Sequence, residues 1–131
     1  HQANASGIPT TGVETFADQI ETLHRIPFDL HINGLTWLLK NHDQQKKRLK
    51  KMMRYYTNGE IQALYKAAKK DAKGMRNILL YRRNKLMAKR FAEIAQQQTL
   101  FCAVGAGHLA GEKGMLRLLK NAGFKVEPVK A

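Results

Sequence analysis

A chain of 131 residues, 44% apolar and 25% charged, has room for one globular domain and is neither disordered nor fibrous in composition. Its single cysteine, Cys102, excludes an intrachain disulfide framework, and no apolar run reaches the ~20 residues of a membrane span. The net charge of +13 is localised: residues 40–90 hold 17 Lys and Arg against Asp43, Glu60 and Asp71, and the rest of the chain is close to neutral. Such a field favours an anionic partner: nucleic acid, anionic lipid or an acidic protein.

Residues 1–8 are polar and small, carry no signal-peptide pattern, and read as a linker or a cut N-terminus. Residues 9–131 then form the domain. Pro9 to Glu14 reads as a short strand running into a turn. Thr15, with Asp18 three residues on, resembles a capping box and opens a helix from about Phe16 to Leu23. Pro27 ends it or opens the next segment. Leu30, Ile32, Leu35, Trp37, Leu38 and Leu39 suggest a further helix, interrupted near Asn33-Gly34.

Asp43 is placed to cap the helix that follows, in which Leu49, Met52, Met53 and Tyr56 give the spacing of one apolar face. Lys46, Lys47, Lys50 and Lys51 occupy the other face. Asn58-Gly59 is a turn signal, and Ile61, Leu64, Tyr65 and Ala68 repeat the helical pattern up to Gly74. A long helix spans about Met75 to Gln97, with Leu80, Met87, Phe91 and Ile94 on one stripe. Leu100 to Val104 reads as a buried strand, which places Cys102 in the interior. A glycine-rich turn, Gly105 to Gly111, leads to a helix built on Met115, Leu116, Leu118 and Leu119. Gly123 stops that helix, and Phe124 to Val129 forms a last strand. The expected fold class is therefore helix-rich α/β: a few short strands at both ends flank a basic helical block at about 16–97, with strand, turn, helix and strand at about 100–129.

Three places hold residues suited to chemistry. His108 follows Gly105-Ala106-Gly107 at the end of the expected strand, where α/β folds form their sites, and a neutral imidazole can bind metal or move a proton. It can equally close the loop with a hydrogen bond. Glu14 ends the first expected strand. It either converges with His108 on a metal or a water, or lies at a helix N-terminus for the favourable dipole. Arg83 and Asn84 sit beside the apolar stripe of the long helix, where polar groups must be satisfied. They can bind backbone carbonyls, orient a site residue or contact an anion. The spacing of Gly105, Gly107 and Gly111 also resembles a dinucleotide loop, with one residue too many and too few βα units around it. His24, His31 and His42 show no metal-ligand spacing. No phosphate-binding Gly-rich loop ending in Lys-Ser/Thr, no Gly-x-Ser-x-Gly and no His-Glu-x-x-His occurs. Tyr55, Tyr56, Tyr65 and Tyr81 within the basic block leave a basic helical module for an anionic partner as an alternative function.

The run from Phe101 to Val129 resembles the closing segment of the TraB/GumN family, which includes the Tiki metalloproteases. Gly12-Val13-Glu14-Thr15 with Gln19 is similar to the family's Gly-x-Glu-Thr and Gln element, and Arg83-Asn84 to its Arg-Asn pair. The matches come in the family's order and span residues 9–129. The resemblance implies half of a larger sheet and a metal-dependent hydrolase of the peptidase class. Gly105 to His108 matches one of the family's two Gly-x-x-His motifs, and the other has no counterpart here. His108 and Glu14 then become catalytic and metal-site residues, supported by Gly12, Gly105, Gly107, Arg83 and Asn84. The resemblance implies zinc, manganese or cobalt as the metal, a peptide substrate, and a periplasmic or cell-surface location. It also implies that the chain is the C-terminal half of its domain, weak or inactive alone. Its partner would be the missing N-terminal half or another copy, as a homo-oligomer or strand-exchanged dimer.

Overall fold

The computed structural model of the chain describes residues 2–72 and 74–129. Its elements in order are α1 (Gln2–Ala5), α2 (Phe16–His24), α3 (Phe28–Lys40), α4 (His42–Thr57) and α5 (Ile61–Asp71). A π-helical turn, Asn77–Tyr81, then runs directly into α6 (Arg82–Ala95). A 3₁₀ turn, Ala106–His108, and α7 (Met115–Asn121) complete the chain.

No strand occurs among the described residues, so the expected α/β fold with strands flanking a helical block is corrected to an all-helical arrangement. The reason is physical. A strand exists only in a ladder, and residues 99–104 make no backbone–backbone hydrogen bond with any described residue. The alternation that suggested a strand is nevertheless present. Leu100, Cys102 and Val104 are half-buried, whereas Phe101 is 95% exposed. Segments 9–14 and 124–129 likewise carry a strand-like sequence but no ladder partner. Lacking a strand to lead into it, the Gly105–Gly111 turn also lacks the βα setting of a dinucleotide site.

The helix boundaries follow local chemistry. Thr15 and Asp18 form a full capping box on α2: the Asp18 N–H donates to Thr15 Oγ1 at 3.1 Å, and the Thr15 N–H donates to Asp18 Oδ2 at 2.7 Å. The break expected at Asn33-Gly34 is absent, and α3 runs through it. A glycine in mid-helix costs only about 1 kcal/mol relative to alanine, too little to stop a helix. Asp43 lies in the first turn of α4 rather than at its cap, which is Asn41. At the other end of the molecule, the Phe124 N–H donates to Leu119 O and the Gly123 N–H to Lys120 O, with Gly123 at φ 92°. This is a Schellman stop, and it folds Phe124 back edge-on against Phe91 of α6 at 6.2 Å.

The core lies between α5, α6, α7 and the turn that follows residue 104. Leu64, Tyr65, Leu80, Met87, Met115 and Leu119 are its buried side chains, with Ala72, Ala88 and Ala110. Gly111 fits here for two reasons: its φ is 88°, and a Cβ on it would lie 2.3 Å from the Tyr65 ring. A Cβ on Gly107 would approach Ala68 of α5 to 3.1 Å. These close approaches press the turn that carries His108 onto α5. By contrast, α2, α3 and α4 contain no buried residue. The apolar face expected on α4 is turned: Gln45, Arg48, Met52 and Tyr55 face inward, while Leu49, Met53 and Tyr56 are exposed. Arg48, on the inward face, pairs with Asp71 of α5.

Candidate functional site

His108 and Asn84 meet where the core borders the cleft. The Asn84 side chain is fully buried on α6, and its Nδ2 donates to the carbonyl of Lys113 at 2.7 Å. A carbonyl can only accept, so the amide must present Oδ1 on its other side. That oxygen lies 2.6 Å from His108 Nδ1. The imidazole therefore carries its proton on Nδ1, and Nε2 keeps a lone pair with no hydrogen-bond partner among the described residues. Burial lowers the His108 pKa first, and the nearby Arg83 charge lowers it further, against an opposing effect of Glu14. The ring is thus held neutral, in one tautomer and one orientation.

Glu14 and Arg83 form the second part of the site. Arg83 grips the Glu14 carboxylate with two parallel bonds, Nε to Oε1 at 2.8 Å and Nη2 to Oε2 at 2.7 Å. The Glu14 side chain is nearly buried, and the Arg83 pKa is raised chiefly by its hydrogen bond to that carboxylate. Arg83 and Asn84 are adjacent on α6, so one turn of helix serves both Glu14 and His108. Gly12 sits two residues before Glu14, and a Cβ there would lie 2.5 Å from the Glu14 carbonyl oxygen. Gly105 has φ −59° and ψ 131°, and its Cβ position is in ordinary contact with the His108 ring.

One cleft of about 880 Å³ joins these residues. Segments 8–14 and 98–105 line its sides, and Glu14, Arg83, Met87 and His108 line its interior. Its walls are mostly apolar with a few converging polar groups, the usual make-up of a ligand site.

Sequence reasoning passed over two groups that build this site. Arg90 lies seven residues beyond Arg83 on the same face of α6, and its Nη1 donates to Asp18 Oδ2 at 2.5 Å and to Val13 O at 3.3 Å. The arginine pair thus holds segment 13–18 against α6, and the spacing of seven was the signal in the sequence. Lys113 contributes only its carbonyl, which no side-chain pattern could have revealed. The neighbouring Tyr65 hydroxyl is pushed up in pKa by burial, and Lys113 Nζ stands 4.5 Å from the Tyr81 ring. His31 Nε2 lies 3.4 Å from the Leu23 carbonyl, and His42 lies beside Asp43 on the surface.

A metal is the group implied for such a site. Among the described residues, no three His, Cys, Asp or Glu side chains come together as a metal-binding group. His108 Nε2 and Glu14 are two candidate donors, and Glu14 is already held by a cation. Catalytic zinc centres use three protein ligands. These residues do not make a metal site by themselves.

Comparison with known proteins gives a consistent picture. A sequence profile of the TraB/PrgY/gumN family matches residues 1–128. Metalloprotease TIKI2 of Danio rerio is 39% identical over 56 residues, a stretch covering 40% of this chain and 11% of that protein. Metalloprotease TIKI1 of Danio rerio is 38% identical over 55 residues, covering 40% and 11%. The Metalloprotease TIKI homolog of Amphimedon queenslandica is 37% identical over 51 residues, covering 37% and 10%. The matches thus span only about a tenth of the length of these relatives. No solved structure matches the chain significantly.

Proposed function

Because the chain belongs to the TraB/PrgY/gumN family, we propose that it carries part of a hydrolytic site of the metallopeptidase class, centred on His108. The observation that carries this reading is the Lys113–Asn84–His108 chain of hydrogen bonds, which fixes the proton of Nδ1 and the orientation of a ring whose burial favours the neutral form, in the cleft that Glu14 and Arg83 share. The Nε2 lone pair so presented can ligate a metal ion or, where no metal occupies it, accept a proton from an attacking water. Arg83 Nη1 makes no hydrogen bond among the described residues, and it can stabilise an oxyanion as negative charge develops on a peptide carbonyl. Glu14 orients that guanidinium.

When bound, a zinc, manganese or cobalt ion would add Lewis acidity to this chemistry. With two donors in this chain, the others would come from another segment, either an N-terminal half of the domain or a second copy. Kinship with the metalloproteases supports a peptide substrate, and we place the protein in the periplasm or at the cell surface on the same ground. No helix of the described residues is long and apolar enough to cross a membrane.

Calorimetric titration of zinc, manganese and cobalt into the chain, His108→Ala and Glu14→Ala tests the proposal. The chain is expected to bind weakly, with affinity falling about tenfold or more in His108→Ala. It is also expected not to hydrolyse a quenched fluorogenic peptide alone. Metal-dependent cleavage by the isolated chain would show that the site is complete without further donors. An unchanged titration curve for His108→Ala would remove the histidine from it.

A further inference from the structure

Helix α4 presents two features that the site in the cleft does not use. Leu49, Met53 and Tyr56, at one-turn spacing, are 52%, 70% and 71% exposed. The next row around the helix is Lys46, Lys50 and Arg54, followed by Lys47 and Lys51. None of these five cations forms a salt bridge among the described residues, whereas the inward-facing Arg48 does. Asp43 is the only acid on the helix. Helix α3, joined to α4 through Asn41 alone, leaves Leu35 and Leu39 exposed as well.

We propose that α4 docks the protein onto an anionic phospholipid surface. Leu49, Met53 and Tyr56 enter the boundary between headgroups and acyl chains, and the lysine row lies over the phosphates. A solvated helix needs no exposed apolar stripe, and nucleic acid, whose bases can stack on Tyr56, offers no apolar layer to take Leu49 and Met53. A lipid interface takes both, because an amphipathic helix binds there by apolar burial and by attraction to anionic headgroups. Charge decides against a second copy on this face. Two chains of net charge +13 would bring like-charged lysine rows together, whereas an anionic leaflet complements them.

The test is flotation of the full chain with phosphatidylcholine vesicles, with and without about one third phosphatidylserine. Binding is expected only to the anionic vesicles. Lys46→Gln and Lys50→Gln should each lower the partition coefficient about fivefold. Leu49→Ser with Met53→Ser should also weaken binding. All four side chains are exposed, so far-UV circular dichroism should be unchanged in these variants. His108→Ala should bind as the native chain does, which separates this surface from the hydrolytic site. Absence of binding to anionic vesicles, or equal binding to neutral ones, would overturn the proposal. So would full binding by the Leu49→Ser/Met53→Ser variant, since cations alone would then account for it.

Discussion

Asn84 links the core to the candidate site. It is fully buried, and each of its two amide atoms has one partner. Removing it leaves the Lys113 carbonyl and His108 Nδ1 without partners in the core, at about 1–3 kcal/mol for each buried group left unsatisfied. Asn84→Ala should therefore lower stability by roughly 2 kcal/mol or more, read from chemical denaturation. A purely structural asparagine would have no further effect, but this one also sets a tautomer. ¹⁵N shifts of the His108 ring should report Nδ1–H in the native chain and a mixture of tautomers in Asn84→Ala. One tautomer in both proteins would show that the amide does not select it.

The elements are held together by arginines of α6 more than by apolar packing at the N-terminal end. Arg90 and the capping box act on the same Asp18 carboxylate, so the start of α2 is fixed both to itself and to α6. The Arg90 hydrogen bond is the largest cause that lowers the Asp18 pKa from 3.8 to about 2, with the Thr15 bonds next. A carboxyl whose folded pKa is depressed contributes stability that is complete above its unfolded value and is lost as pH falls toward the folded one. The window is thus from about pH 4 down to about pH 2. His108, its pKa lowered by burial, acts with the same sign at higher pH: stability falls as pH drops below the ordinary histidine range. Thermal unfolding from pH 5 to pH 2 should show the acid loss in the native chain and a shallower slope in Asp18→Asn. Equal slopes would assign the acid sensitivity to other groups. The π-helical turn before α6 belongs to this scale too: it stands directly ahead of Arg82 and leads into the turn that carries Arg83 and Asn84.

Across the whole molecule, burial is unevenly divided. Among the described residues, every one buried as a whole lies at or beyond Leu64, in α5 and Ala72 just after it, the π turn, α6, the turn around His108 and α7. Local opening follows buried contacts, so native-state hydrogen exchange should find α5, α6 and α7 protected to the level of global unfolding. Amides of α3 and α4 should exchange by local opening at much lower cost, and uniform protection would refute this division. The sequence by itself determined most of the helices, the cap of α2, the stop of α7 and four of the residues that meet at the site. Periodicity and capping are encoded within a few neighbouring residues, so Thr15–Asp18, Gly123 and the α6 stripe were legible, as were Glu14, Arg83, Asn84 and His108. Only the tertiary structure decided three things. Segments 9–14, 100–104 and 124–129 remain without ladders, because pairing depends on a partner strand and not on the segment's own alternation. Helix α4 turns Gln45, Arg48, Met52 and Tyr55 inward, because the face a helix buries depends on its neighbours and not on its own apolar spacing. His108 is tied to Asn84 rather than to Glu14, because the buried amide, anchored on a distant backbone carbonyl, presents the nearer acceptor to Nδ1.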